Sequence, residues 1–225
     1  METTELSYNN NGSIRDPNDP QTWNWGSYDY PLACRSLREG DAKHLFPVMK
    51  RSAKVLKGYI EWAKYAPSWD FKTVASFVKD HLNDEFPRFH LLFTIGKQVV
   101  GFGSLAPVNG NIRDVQVALW VGVGHQGRGI GQWIVTVLEF YAFNVFGCDH
   151  VYYQHDSSNR NSGKLPQKMG YRWSHSFDDE VHATQETGLW YSWVKDRPEG
   201  TAPGLLDLGH SDNWANERFP WKCMI

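Results

Sequence analysis

The sequence predicts a mixed α/β fold, in which a single domain carries a mostly antiparallel sheet of about six to seven strands flanked by helices. Three observations support this prediction. Strand-like runs alternate with amphipathic helical runs, three of the strands form an antiparallel meander, and one strand leads through a glycine-rich loop into a helix. The 225 residues suffice for one sizeable core and do not require a second domain.

Composition places the domain at residues 28–197. Residues 1–27 are rich in Asn, Asp, Pro, Ser and Thr, so we expect a loosely ordered N-terminal extension. Residues 198–225 shift to Pro, Gly and Asp with two tryptophans, which predicts a separate Trp-containing tail.

The first half of the domain is predicted to contain one strand, two helices and the meander. The strand falls at residues 31–37. A helix follows with Asp41 as its cap, and Pro47 is expected to kink it. Apolar residues at helical spacing predict a second helix at residues 74–82. The meander strands are predicted at residues 89–95, 99–105 and 114–121.

The second half begins after the glycine loop with a helix at residues 133–146. A buried strand is predicted at residues 151–154, and a short helix at residues 162–169 ends at Gly170, a residue typical of helix C-termini. The closing strands are predicted at residues 171–177 and 188–194.

Charge and cysteine content narrow the class of partner. The formal net charge of −2 indicates neither nucleic acid nor an anionic membrane as a partner. No stretch approaches the roughly 18 apolar residues of a membrane span, and the acidic N-terminus does not resemble a signal peptide. Cysteines and histidines lack metal-ligand spacing, which predicts reduced thiols, no metal site and a cytoplasmic protein.

Residues 126–131, Gln-Gly-Arg-Gly-Ile-Gly, are the most informative stretch of the chain. Alternate glycines allow backbone amides to converge on one point at a helix N-terminus, where the macrodipole also favours an anion. Arg128 adds a cation. The stretch predicts a phosphate or pyrophosphate site; the alternative is an ordinary tight turn before a helix.

A nicotinamide cofactor, and hence an oxidoreductase, is the lesser alternative. Residues 122–127 fit the G-x-G-x-x-G pattern of dinucleotide sites. However, the pattern follows an antiparallel meander, and no acidic residue ends the next strand about 20 positions on. A Walker P-loop is excluded because no Lys-Ser or Lys-Thr follows the glycines.

Two blocks of sequence together resemble a known family. Residues 126–131 resemble the Q/R-x-x-G-x-G/A pyrophosphate loop of the GNAT superfamily of N-acetyltransferases. Residues 159–162 (Asn-Arg-Asn-Ser) and 168–171 (Lys-Met-Gly-Tyr) resemble the N-x-x-S…K-x-G-F block of its RimJ/RimL-like ribosomal-protein branch. Both blocks occur in the correct order and spacing.

The resemblance implies an acetyl-CoA-dependent N-acetyltransferase in which an amine attacks the thioester directly. It also implies that backbone groups at the end of the fourth strand meet the pantetheine and the thioester oxygen. The implied cofactor-binding residues are Val121, Val123, Gln126, Gly127, Arg128, Gly129, Ile130, Gly131, Asn159, Ser162 and Lys164. The implied catalytic positions are Ser162, Gln116 and Val121.

The proton donor and the base depart from the superfamily pattern. Many members carry a tyrosine four residues after the position of Ser162, but this chain has Pro166 there, so Ser162 is the remaining donor. Alternatively, Ser162 or Asn161 only caps the short helix. Gln116 stands where related enzymes often have a glutamate base. The substitutes considered for that base are Glu61, Asp70 and His90.

Gln116 bears on the acceptor. An α-amine, with a pKa of about 7.7–8.0, is partly neutral near pH 7, whereas a lysine amine at about 10.4 is almost wholly protonated. A protein or peptide N-terminus is therefore favoured over a small molecule. Tyr59, Trp62 and Trp69 are either a stacking wall for this acceptor or core packing. An acyl-CoA-binding sensor without catalysis is the alternative function, and a homodimer is compatible with the sequence.

Overall fold

The computed structural model describes residues 32–82 and 89–201. The predicted N-terminal extension, and the predicted tail beyond residue 201, lie outside the described residues. The described strands are β1 Leu32–Ser36, β2 Phe89–Ile95, β3 Gln98–Val108, β4 Asn111–Val121, β5 His150–Asp156, β6 Arg172–Asp178 and β7 Leu189–Asp196. The described α-helices are α1 Ala42–Leu56, α2 Trp62–Tyr65, α3 Phe71–Leu82, α4 Ile130–Phe140 and α5 Arg160–Lys168.

The seven strands form one sheet in the order β1-β2-β3-β4-β5-β7-β6. Neighbouring strands are antiparallel except for β4 and β5, which run parallel. The predicted mixed α/β fold with a mostly antiparallel sheet is confirmed.

Each face of the sheet has its own core, because successive side chains of a strand point to opposite faces. On one face, Val117 of β4 and Tyr153 of β5 pack in a cluster with α4 residues such as Leu138. On the other face, Trp120 of β4 packs with residues of α1, α2 and α3 such as Met49. The sheet is therefore a central layer between two groups of helices.

Two predicted helix starts differ from the structure in part. Asp41 is the N-cap residue of α1, as predicted, but its side chain does not bond to an amide of the helix. Its carboxylate instead pairs with the Arg35 guanidinium and accepts a hydrogen bond from the Arg38 amide. The short helix α5 begins at Arg160 rather than Ser162, so Pro166 lies inside it. Elsewhere, α1 continues through Pro47, and a π-helical turn, Tyr141–Val145, extends α4.

Candidate active site

The two parallel strands separate towards their carboxyl ends. β4 and β5 are joined by four residue pairs, the last of which is Val117 with Tyr153. Both strands continue beyond this pair, so a wedge opens between residues 118–121 and 154–156. The carboxyl ends of parallel strands are where open α/β sheets bind ligands.

The glycine loop joins the end of β4 to α4 on one side of this wedge. Gly127 has a φ of 72°, and Gly129, the N-cap of α4, has a φ of 82°. Both values lie in the left-handed region, which explains glycine at these positions. Gly129 has no side chain with which to cap α4, so the first amides of the helix are left for a ligand or water. A Cβ atom at Gly127 would meet nothing within 4 Å among the described residues, so this side of the loop is open.

Positive charge gathers at the same loop. Burial lowers the pKa of His125, and the guanidinium groups of Arg128 and Arg51 lower it further. His125 is therefore neutral at pH 7, and the two arginines provide the fixed charge. Backbone amides at a helix N-terminus beside guanidinium groups suit a pyrophosphate, so the residues present fit the phosphates of acetyl-CoA.

Helix α1 supports the junction between β4 and the loop. The buried Ser52 hydroxyl accepts a hydrogen bond of 3.0 Å from the Val123 amide. A Cβ atom at Gly122 would lie 2.9 Å from a methyl group of Val48, so only glycine permits this close approach. The strand end is thereby held against α1.

Val121 and Val123 were expected to offer backbone groups to the cofactor. The Val121 carbonyl accepts a hydrogen bond of 3.1 Å from the Gln126 side chain, and the Val123 amide is bonded to Ser52. These two groups therefore already have partners within the chain. The contacts of Val121, Val123 and Gln126 with a cofactor stay a prediction.

Helix α5 begins on the other side of the wedge. Its N-cap is Asn159, whose side-chain oxygen accepts a hydrogen bond of 3.2 Å from the Ser162 amide. The predicted alternative, a cap by Ser162 or Asn161, is therefore wrong. Lys164 is exposed and lies 3.4 Å from the Asn161 side-chain oxygen.

Both helix N-termini lie at the same end of the wedge. A Cβ atom at Gly131, the second residue of α4, would lie 3.5 Å from Leu165 of α5 and 3.8 Å from Leu119 of β4. The start of α4 thus lies beside the second half of α5. Each helix follows the carboxyl end of its own strand, so the positive dipole ends of both lie at that end of the wedge.

The Ser162 hydroxyl has a partner that the sequence did not reveal. Its Oγ lies 2.9 Å from the Tyr153 hydroxyl, on the first core face. Ser162 is half-buried and Tyr153 is buried. Burial raises the pKa of Tyr153, so its phenol is neutral near pH 7.

Gln116 lies on the opposite face of β4, the face covered by α1 to α3. It pairs in register with Tyr152 of β5 and is half-buried. Two residues further along β4, Ala118 is exposed although it belongs to a central strand. The helices therefore leave this part of the sheet open, and it is the side from which an acceptor can reach the wedge.

The three residues considered as substitute bases have different surroundings. Glu61 is exposed. Asp70 accepts hydrogen bonds from Thr73 at the start of α3, and these lower its pKa. His90 is buried, with its ring centroid 5.0 Å from that of His81.

The predicted aromatic wall divides into two parts. The Trp62 ring lies 5.4 Å from that of Trp120 and 6.3 Å from that of Trp69, and both Trp62 and Trp69 pack against the second core. Tyr59 instead reaches across the wedge, and its hydroxyl donates to the Ser158 carbonyl just after β5. A role in binding the acceptor stays a prediction for these residues.

A bridge between two loops, which the sequence did not indicate, flanks this approach. The β6–β7 loop is bonded to the α1–α2 turn: the Thr184 amide donates to the Lys57 carbonyl at 3.1 Å and the Gln185 amide to the Gly58 carbonyl at 2.9 Å. The Lys64 ammonium also donates to the His182 carbonyl. The segment from residue 57 to residue 64 is thus joined to the far side of the sheet.

The Asp156 carboxylate, at the end of β5, holds the β6–β7 loop of this bridge in place by hydrogen bonds. It accepts five hydrogen bonds, from the amide and hydroxyl of Ser158, the amide and hydroxyl of Thr187, and the Gly188 amide. Asp156 is 2% exposed. An aspartate followed by two serines at the end of a strand was the available signal, but its partners in the β6–β7 loop, Thr187 and Gly188, were not visible in the sequence.

Comparisons with known proteins agree with this geometry. A family model described as an acetyltransferase (GNAT) domain matches residues 32–172. A RimL ribosomal L7/L12 alpha-N-protein acetyltransferase in complex with coenzyme A is 12% identical, with a TM-score of 0.64 over 77% of this chain and 96% of that one. The ribosomal-protein-S5-alanine acetyltransferase from Vibrio fischeri is 14% identical, with a TM-score of 0.61 over 79% and 98%.

A spermidine N-acetyltransferase from Vibrio cholerae, in complex with CoA and spermine, is 16% identical, with a TM-score of 0.60 over 74% of this chain and 95% of that one. Comparison of the sequence with curated proteins finds no significant match. In the described part of the chain, no helix has the length and apolar character needed to cross a membrane. The same residues contain no cluster of His, Cys, Asp and Glu suited to a metal ion.

The fold and the matched family model define an acyltransferase that takes its acyl group from a coenzyme A thioester. The matched family model covers more than half of the chain, and the protein belongs to the GNAT acetyltransferase family. The predicted enzyme class, N-acetyltransferase, and the predicted cofactor, acetyl-CoA, are thereby confirmed.

Proposed function

We propose that the protein transfers the acetyl group of acetyl-CoA to a primary amine, and that this amine is the N-terminal α-amine of a protein or peptide. The observation that supports the donor site is the wedge between β4 and β5. The glycine loop with Arg128, near Arg51 of α1, lies on one side of the wedge, and the start of α5 lies on the other.

One feature, the glutamine at position 116, favours an α-amine as the acceptor. Gln116 cannot take a proton, so an amine that is already partly neutral is acetylated more readily. At pH 7 about a tenth or more of an α-amine is neutral, against only a few parts in ten thousand of a lysine amine. The bridge between the β6–β7 loop and the α1–α2 turn flanks the approach that this amine would take.

Each side chain has a defined task in this proposal. Arg128 and the amides at the start of α4 bind the phosphates, and Asn159 fixes the start of α5 beside the wedge. Bound acetyl-CoA supplies an activated thioester. Ser162 donates a proton to the departing sulfur, and the proton of the attacking amine leaves through water because Gln116 cannot accept it.

The first experiment tests the donor. Thermal unfolding is measured with acetyl-CoA, CoA and NAD; a ligand at 100 times its Kd adds about 2.7 kcal/mol of stability. We expect stabilisation by both coenzyme A compounds and none by NAD. Stabilisation by NAD alone contradicts the donor assignment.

The second experiment tests the acceptor by release of free thiol from acetyl-CoA. The matched substrates are one lysine-containing peptide with a free N-terminus and the same peptide with its N-terminus blocked, together with spermidine. We expect release only with the free N-terminus. Release with spermidine alone contradicts the peptide acceptor, and tight binding of acetyl-CoA without release from any amine indicates a sensor.

A further inference from the structure

The Ser162 hydroxyl is held from within the core by a second hydroxyl. The Tyr153 phenol lies 2.9 Å from Ser162 Oγ, and Tyr153 is 4% exposed. Its ring packs edge-on against Tyr171 at a centroid distance of 6.2 Å. Burial raises the pKa of Tyr153, so the phenol keeps its hydrogen at neutral pH.

The direction of this hydrogen bond decides what Ser162 can do. A phenol, with a pKa of about 10, is a better donor than an aliphatic hydroxyl. When Tyr153 donates, Ser162 accepts and its own hydrogen remains available for another acceptor. Without that partner, a serine in a helix commonly turns its hydroxyl to a backbone carbonyl of the preceding turn.

We propose that Tyr153 is a positioning residue for acetyl transfer: its hydroxyl donates to Ser162 and keeps the Ser162 hydrogen directed at the sulfur of the donor. This inference rests on the proposed function. As the carbon–sulfur bond breaks, the electron pair stays on sulfur, which takes the Ser162 proton. Tyr153 stabilises the resulting negative oxygen of Ser162. Ser162 then regains, through water, the proton that the amine nitrogen releases, so the sulfur gains one proton and the amine loses one.

The test compares Tyr153→Phe, Ser162→Ala and the double variant, with Tyr171→Phe as the control. Tyr171 is a neighbouring buried tyrosine, 5% exposed, and its loss leaves the Ser162 contact intact. We expect Tyr153→Phe to lower kcat roughly tenfold, with the KM for acetyl-CoA unchanged. The double variant should be no slower than Ser162→Ala alone, and Tyr171→Phe should keep its kcat.

The inference is overturned if Tyr153→Phe has the kcat of the wild type. It is also overturned if the double variant is slower than Ser162→Ala by the factor that Tyr153→Phe shows alone. A wild-type enzyme that releases no thiol with any amine overturns the proposed function and this inference together. An active wild type with an unaffected Tyr153→Phe variant overturns the inference alone. If Tyr153→Phe does not fold, 3-fluorotyrosine is placed at the same position. It keeps the hydroxyl and makes it a stronger hydrogen-bond donor, so kcat should equal or exceed the wild-type value. A lower kcat contradicts the inference.

Discussion

Substitution of Asp156 by asparagine should destabilise the protein more than the loss of an ion pair on the surface. The carboxylate accepts five hydrogen bonds within a site that is 2% exposed. Asparagine keeps one oxygen and places an NH2 group at the other, so at least two donors lose their acceptor. At about 1–3 kcal/mol for each buried donor, the cost for two donors is about 2–6 kcal/mol.

Thermal and urea unfolding measure this cost. For a chain of this size, at about 2–4 °C for each kcal/mol, the loss corresponds to a fall in Tm of about 4–24 °C. The control is Asp149→Asn, which removes an ion pair with Arg113 in which both side chains are at least 40% exposed. That pair should contribute less than about 1 kcal/mol. Equal losses of stability in the two variants would refute the argument that burial makes the Asp156 contacts strong.

The pH dependence provides a second check. Burial opposes ionisation of Asp156, but the hydrogen bonds from Ser158 and Thr187 outweigh it and lower its pKa. A carboxylate of this kind contributes stability above its unfolded pKa of about 3.9 and loses it as the pH falls through the lower folded value. The difference in unfolding free energy between wild type and Asp156→Asn should therefore shrink below about pH 4. A constant difference down to acid pH would contradict this assignment.

Three further variants test the site. Ser52→Ala removes the acceptor of the Val123 amide and should weaken acetyl-CoA binding about fivefold in calorimetry. The control, Ser68→Ala on the surface, should leave the affinity unchanged. Equal affinities in the two variants would contradict a supporting role for Ser52. Gly163→Ala places a Cβ atom 2.7 Å from the buried imidazole of His155 and should lower the free energy of unfolding by about 1–3 kcal/mol. In Gly40→Ala the new Cβ atom has no neighbour within 4 Å, so thermal unfolding should not show this loss. Burial and two guanidinium groups lower the pKa of His125, and a bound pyrophosphate should raise it. Affinity for acetyl-CoA should then rise as the pH falls below neutral and His125 gains a proton in the complex, and His125→Gln should abolish this rise.

The sequence predicted those features of the fold that depend on neighbours along the chain. The meander strands and α3 follow from periodicity, because side chains at regular spacing must share a face. The glycine loop was equally visible, since Gly127 and Gly129 take backbone angles that other residues rarely adopt. Local geometry alone carried both predictions.

The missed features depend on partners that are distant in the chain. Asp156 bonds to Thr187, which is 31 positions away, and Thr184 bonds to Lys57, which is 127 positions away. No local pattern reports such pairs. The cap of α5 was misassigned because Asn159, Asn161 and Ser162 are all suitable caps, and only the backbone angles select among them.

The four residue pairs between β4 and β5 have a consequence for the cooperativity of the molecule. They are the seam between two antiparallel half-sheets, β1 to β4 and β5 to β7. A ligand that contacts both the loop after β4 and the helix α5 after β5 binds to both half-sheets. Opening along this seam should therefore be the motion that acetyl-CoA suppresses most, and amide hydrogen exchange at residues 114–121 and 150–156 should slow together when it binds.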